Sequence, residues 1–259
     1  MTDHFARPKK TIAWARSAIG ELDTELAAFF GSNQCEEIID LDTKPGHKIV
    51  KVRIREQLPD SAARKATEAL TNTRHAFDQI VYAACSALEA KPKSDVHFPW
   101  GTTPTDVRRR MEGKALIPPS LWSSIEELEP YPKGEGYPGG DDKIRALSIA
   151  ANCKHTIGIE PVMRLAGVLL PTVAGTLLPG QEMAVGPKWD AAKREMLLAM
   201  APADMHVAGD YELHALVVFD DTTAARGMEV VPALTAFVDY AEKSLDRLER
   251  RCAEINCAR

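Results

Sequence analysis

TNTRHAFDQIVYAACSAL, residues 71–88, is the stretch on which the fold reading turns. Within a segment from 60 to 90, Ala66, Leu70, Phe77, Val81, Ala84 and Leu88 recur at separations of three, four and seven. That is the period of one buried face of an α-helix, not the alternation of a strand. A long charged side chain interrupts the face. On a helical wheel the apolar stripe ends at about the angle of Arg74, and Asp78 lies one turn on, roughly 40° further out, so the two are placed to pair. One reading is a rim ion pair whose arginine stem lies on apolar surface. The other is part of a functional site.

Helices of the same kind flank this one. Residues 8–30 carry Ile12, Ala15, Ile19, Leu22, Leu26 and Phe29 at separations of three and four, with Pro8 at the start and Gly31-Ser32-Asn33 at the end. Asp141 and Asp142 open a helix predicted over 141–155, with Ile144, Leu147 and Ala151 as its stripe. Residues 230–257 keep Leu234, Val238, Ala241, Leu245, Leu248, Cys252 and Ile255 in a strict 4,3,4,3 spacing. That spacing permits packing onto the other long helices or a homodimer seam. Short helices are expected at 104–113 and 118–128, and PYPKGEGYPGG at 130–140 reads as a flexible loop.

Between the first two long helices, EEIIDLD and KIVKVRIRE flank Thr43-Lys44-Pro45-Gly46, which predicts a hairpin over 36–56. Val50, Val52 and Ile54 point one way; Lys51, Arg53 and Arg55 point the other. The basic face is either a solvated sheet face or a local patch for RNA or another anion. Residues 180–220 read as short antiparallel strands, because Gly, Pro and Asp leave no room for helices of ordinary length. The expected architecture is α+β: a single domain, 1–259, in which long helices pack together and an antiparallel sheet of short strands covers one end or side.

Composition narrows the function classes. The formal net charge of −5 excludes a wholly basic nucleic-acid binder, so any such contact must be local. The longest apolar stretch, AGVLLPTVAGTLL at 166–178, is too short to span a bilayer. The first ten residues hold no apolar run, so a cytoplasmic protein is expected, with Cys35, Cys85, Cys153, Cys252 and Cys257 as reduced thiols. Neither a metal-binding motif nor a cofactor fingerprint is present in the sequence, and neither group is expected.

The second polar constellation is NCKH, Asn152 to His155, at the end of the helix that opens at Asp141, where Lys154 and His155 continue its buried side. Cations at a helix C-terminus are explained by the macrodipole alone. Lysine and arginine also neutralise an anion, and histidine moves a proton near neutral pH. If the two helices pack side by side, Arg74, Asp78, Lys154 and His155 converge. Arg74 and Lys154 then hold phosphate, with Asn152 beside them; His155 transfers a proton, and Asp78 orients a partner.

TNTRHAFDQIVYAACSAL resembles the Asn-Leu-Arg-Ser-x-Leu-Asp-His-Leu-Val segment of a broad group of uncharacterised bacterial proteins. In that group a later Lys-His pair follows an acidic or amide residue, as NCKH does here. The order of elements is also similar, so the resemblance covers most of the chain. The Arg-x4-His pattern of the group is in turn similar to the motif of HEPN-type ribonucleases. Those are helical, usually dimeric proteins whose arginine and histidine promote attack of the RNA 2′-hydroxyl on the adjacent phosphate without a metal. The matching positions here are Arg74 and Gln79. Glutamine is neither acid nor base, and residues five apart on a helix point about 140° from each other. The resemblance therefore implies a ribonuclease only where His155 or His75 supplies the proton transfer.

The alternative is a non-enzymatic binding or scaffolding protein, in which the same four residues form a structural network. Gln79 and the acidic net charge favour it. A third reading is a small-molecule enzyme with a pocket near His97 and Trp100. An open, positive cleft floored by Arg74 and His155 supports the first reading; burial and mutual satisfaction of those groups support the second.

Overall fold

The computed structural model describes residues 3–32, 35–41, 46–88, 96–113, 117–152, 157–165, 172–174, 183–190, 192–208, 213–220 and 224–258. The elements among them are, in order, α1 (Ala6–Gly31), β1 (Cys35–Leu41), β2 (His47–Ile54), α2 (Asp60–Ala87), α3 (Pro104–Glu112), a 3-10 turn (Pro119–Leu121), α4 (Trp122–Glu126), α5 (Asp142–Ala150), β3 (Ile159–Leu165), β4 (Thr172–Ala174), β5 (Ala184–Asp190), β6 (Glu195–Pro202), β7 (His206–Ala208), β8 (Leu213–Phe219) and α6 (Val230–Cys257). The fold is α+β, as the two periodicities indicate. The chain forms two compact units. One holds residues 1–23, 61–158 and 219–259, the other residues 24–60 and 159–218.

In the first unit, α1 starts two residues before Pro8, because the Asp3 carboxylate accepts the Phe5 N–H at 2.9 Å and caps the turn. The part of α1 in this unit runs antiparallel to α2: Thr11 Oγ1 donates to Gln79 Oε1 at 2.8 Å, and Lys65 lies 4.0 Å from Glu21 further along. It also meets α6, through Lys9 with Glu249 at 2.7 Å and Arg16 with Asp239 and Glu242. The 4,3,4,3 stripe of α6, from Leu234 to Cys252, is buried inside the chain, which satisfies its apolar face. At the centre is Phe77, with no exposed surface. Its ring centre lies 4.9 Å from those of Phe98 and Trp100, 5.3 Å from Phe237 and 5.6 Å from Tyr240. Tyr240 keeps its polar end satisfied by donating to Leu128 O at 2.6 Å.

Two helical expectations change. The helix predicted over 141–155 is capped at its start by Asp141 and spans Asp142–Ala150, after which the Asn152 N–H turns back to Ile149 O at 3.0 Å in a tight turn; residues 153–155 of the prediction lie outside the described residues. The segment predicted as one helix at 118–128 divides into the 3-10 turn and the short α4.

The segment 130–140 is tied down rather than loose. The Glu129 carboxylate accepts the Gly140 N–H at 3.1 Å, Gly101 N–H donates to Pro130 O at 3.0 Å, and Tyr137 Oη donates to Thr102 O at 3.2 Å. Gly140 sits at φ +88, where a Cβ would lie 2.5 Å from Pro132 O, so the close turn requires glycine. These contacts anchor Gly101 and Thr102, and with them the chain that leads into α3.

α3 begins on a reciprocal cap. Asp106 N–H donates to Thr103 Oγ1 at 3.1 Å, and the Asp106 carboxylate accepts Thr102 N–H at 3.0 Å and pairs with Arg109 and Arg110. Burial pushes this carboxyl up. The hydrogen bonds from Arg109 and Thr102 and the charge of Arg110 outweigh that and hold it at about 2, below its ordinary 3.8. A depressed value means that the stabilisation is complete above the unfolded value and fades as pH falls through the folded one. Asp106→Asn is expected to lower stability by about 1–2 kcal/mol near neutrality. The loss should shrink between pH 4 and pH 2, which thermal unfolding at those pH values measures.

The second unit carries an antiparallel sheet in the order β1-β2-β6-β5, with β3 paired to β8 and β4 to β7 as separate ribbons. Register runs from Cys35 opposite Ile54 to Leu41 opposite Lys48, confirming the hairpin. Val50, Val52 and Ile54 are buried with Phe29, Met196 and Leu198 in this unit's own core. The opposite face of β2 is a ladder of ion pairs. Lys51 meets Asp40 at 2.9 Å and Glu195 at 3.3 Å, Arg53 meets Glu195 and Glu36, and Arg55 meets Glu36 at 2.7 Å. Hydrogen bonds from Arg53, opposed by burial and joined by Lys51, hold the Glu195 carboxyl below its ordinary range. The strand region begins earlier than 180: β3 and β4 precede it, and β3 contains Pro161.

Candidate functional site

The site grows from α2 and the extended segment 96–100. Phe98 and Trp100 are buried against Phe77, Val96 is buried as well, and His97 between Val96 and Phe98 is exposed. The Phe98 N–H donates to Asp78 Oδ1 at 2.8 Å, which fixes the segment to α2. His97 Nδ1 then lies 3.1 Å from Asp78 Oδ2. A carboxylate only accepts, so Nδ1 carries the proton of this pair, and Nε2 is the ring nitrogen that Asp78 does not engage. Asp78 is therefore shared among Phe98, His97 and Arg74, whose guanidinium donates to Oδ1 at 3.2 Å.

Arg74 is held on every side. Its side chain is 13% exposed, Nε donates to Asn152 Oδ1 at 3.3 Å, and its guanidinium lies 5.5 Å from the centre of the Trp100 ring. Burial pushes its pKa down, Asp78 opposes that, and the charge of Arg145 adds to it. Arg145 in turn donates to Gly101 O at 3.0 Å and Ser148 Oγ at 2.8 Å, bracing the segment that carries His97.

Asp78 and His97 open onto a cleft of about 390 Å³, whose other walls include His4, Arg7, Gln79 and Tyr82. Two imidazoles, one of them oriented by a carboxylate, an arginine and an exposed tyrosine make a site that can bind an anion and move protons. Among the described residues no group of three or more His, Cys, Asp or Glu side chains is placed to hold a metal ion, and no helix is long and apolar enough to cross a membrane.

Of the residues expected to form the site, Arg74, Asp78 and Asn152 are brought together, while Lys154 and His155 lie outside the described residues. His75 is exposed on α2 and does not line the cleft; Gln79 does. Trp100 belongs to the core, whereas His97 belongs to the cleft. The pairing of His97 with Asp78, 19 residues apart, was not anticipated from the sequence. Its one local signal is the apolar alternation of Val96, Phe98 and Trp100, which leaves a histidine facing out. Comparison with protein-family models, with curated proteins and with solved structures finds no match.

Proposed function

We propose that this chain is a HEPN-like protein that cleaves RNA without a metal, with His97 as the proton-transfer group. One observation carries the reading: a single carboxylate, Asp78, holds both the Arg74 guanidinium and the His97 ring, and Asp78 and His97 line the cleft. In this reaction His97 Nε2 takes the proton of a 2′-hydroxyl, whose oxygen forms a bond to the adjacent phosphorus. The bond from phosphorus to the 5′ oxygen breaks, and that oxygen leaves with a proton, for which His4 is the second ring lining the cleft. The product ends are a 2′,3′-cyclic phosphate and a 5′-hydroxyl. Arg7 holds the phosphate, and Arg74 acts as a positioning residue through Asp78.

The burial of Arg74 against Trp100 favours a second reading, a non-enzymatic binding protein whose Arg74–Asp78–Asn152 cluster is structural. RNA cleavage in EDTA separates the two. The parent should yield cyclic-phosphate ends, and His97→Ala should lose them while keeping the parent's melting temperature, since the His97 side chain is 66% exposed. Absence of cleavage by the parent, with a large stability loss in Arg74→Ala, supports the structural reading.

A further inference from the structure

From Arg7 at the cleft wall, α1 continues with two further exposed groups that the proposed chemistry does not use, Lys10 and Trp14. Arg7, Lys10 and Trp14 are separated by three and four residues, so they share one face and span about 10 Å along the helix. All three are exposed. Trp14 is 52% exposed, and the Lys10 ammonium lies 5.2 Å from the centre of its indole. Tyr82, on α2 and 46% exposed, lines the cleft with Arg7.

Charge is sorted between the faces of α1. Lys9 pairs with Glu249, and Arg16 with Asp239 and Glu242. Neither the Arg7 guanidinium nor the Lys10 ammonium has a carboxylate partner among the described residues. The unneutralised cations of the helix therefore lie on the face that bears the exposed indole. Cations interleaved with exposed aromatic rings fit a polyanion whose flat groups are free to stack.

The geometry points to a track for single-stranded RNA along this face of α1, with bases stacked on Trp14 and Tyr82 and phosphates held by Arg7 and Lys10, leading the strand to His97. It rests on the reading that the cleft acts on RNA, and it adds which form of RNA is selected. In a duplex the bases are stacked on one another and do not reach the rings, so an unpaired strand is preferred.

The test uses the full chain and a fluorescent 2′-O-methyl oligouridine of about 12 nucleotides, which lacks the nucleophile and stays intact, followed by anisotropy at about 50 mM salt and above. Trp14→Ala and Tyr82→Ala should each weaken binding by about 5- to 100-fold, and Trp14→Phe should restore most of it. Arg7→Gln and Lys10→Gln should each reduce the slope of log affinity against log salt by about 0.7. A duplex of the same length should bind more weakly than the single strand. Absence of binding by the parent, or equal affinity in parent and both alanine variants, overturns the track. Cleavage of ordinary RNA, scored in parallel, separates this from the catalytic reading. Cleavage with unchanged affinity in the alanine variants removes the track and leaves the chemistry standing. Affinity lost in those variants, with no cleavage by the parent, keeps the track and removes the chemistry.

Discussion

Phe77→Ala is expected to cost about 3–5 kcal/mol, the largest loss from any single side chain of the helical unit. The residue has no exposed surface, and its ring centre lies within 5.6 Å of those of Phe98, Trp100, Phe237 and Tyr240. Removing it leaves a cavity walled by four large rings on two separate elements, the segment 96–100 and α6, which cannot all collapse into it. The same ring holds the segment 96–100 in place, so the loss reaches the site: His97 directly precedes Phe98, which with Trp100 packs on Phe77. The melting temperature should fall by roughly 10 °C or more. Phe77→Leu, which keeps much of the volume, should lose clearly less. A shift of a degree or two for Phe77→Ala would mean that the ring cluster is not the centre of the unit's stability.

His97→Ala is expected to lower RNA cleavage by about 100- to 10,000-fold, the usual worth of a positioned proton-transfer group. Stability should change little, because the ring is mostly exposed. Asp78→Asn should behave differently. It removes a charge that meets Arg74, His97 and the Phe98 N–H at once, so it should lose both activity and about 1–3 kcal/mol of stability. The contrast between a variant that is stable but inactive and one that is neither stable nor active distinguishes a catalytic histidine from a purely structural carboxylate cluster.

What was legible in the sequence follows the range of the interaction. The period of Ala66, Leu70, Phe77 and Val81 is set within a few turns of one helix, and so is the pairing of Arg74 with Asp78 at i, i+4. Trp14 could also be read as off the buried stripe, since Ile12, Ala15 and Ile19 define a face that excludes it. β3 was not legible. Pro161 argues against a strand, and its partner β8 lies some fifty residues on, which no local pattern encodes. The charge of β2 was legible, but not its neutralisation: Glu195 reaches Lys51 and Arg53 only because β6 pairs with β2. His97 was missed for the same reason. A histidine in a Pro-containing segment gains a role only when Phe98 and Trp100 dock on Phe77 and bring it to Asp78.

The most direct test of the central claim is rescue of His97→Ala by free imidazole, with RNA cleavage followed in EDTA. The His97 side chain faces an open cleft, so its removal leaves a space that a small ring can enter beside Asp78. The variant should be folded and inactive, imidazole should restore part of the cleavage in a concentration-dependent way, and the same additive should do nothing for Asp78→Ala. Cleavage by His97→Ala at the parent's rate without imidazole would contradict it.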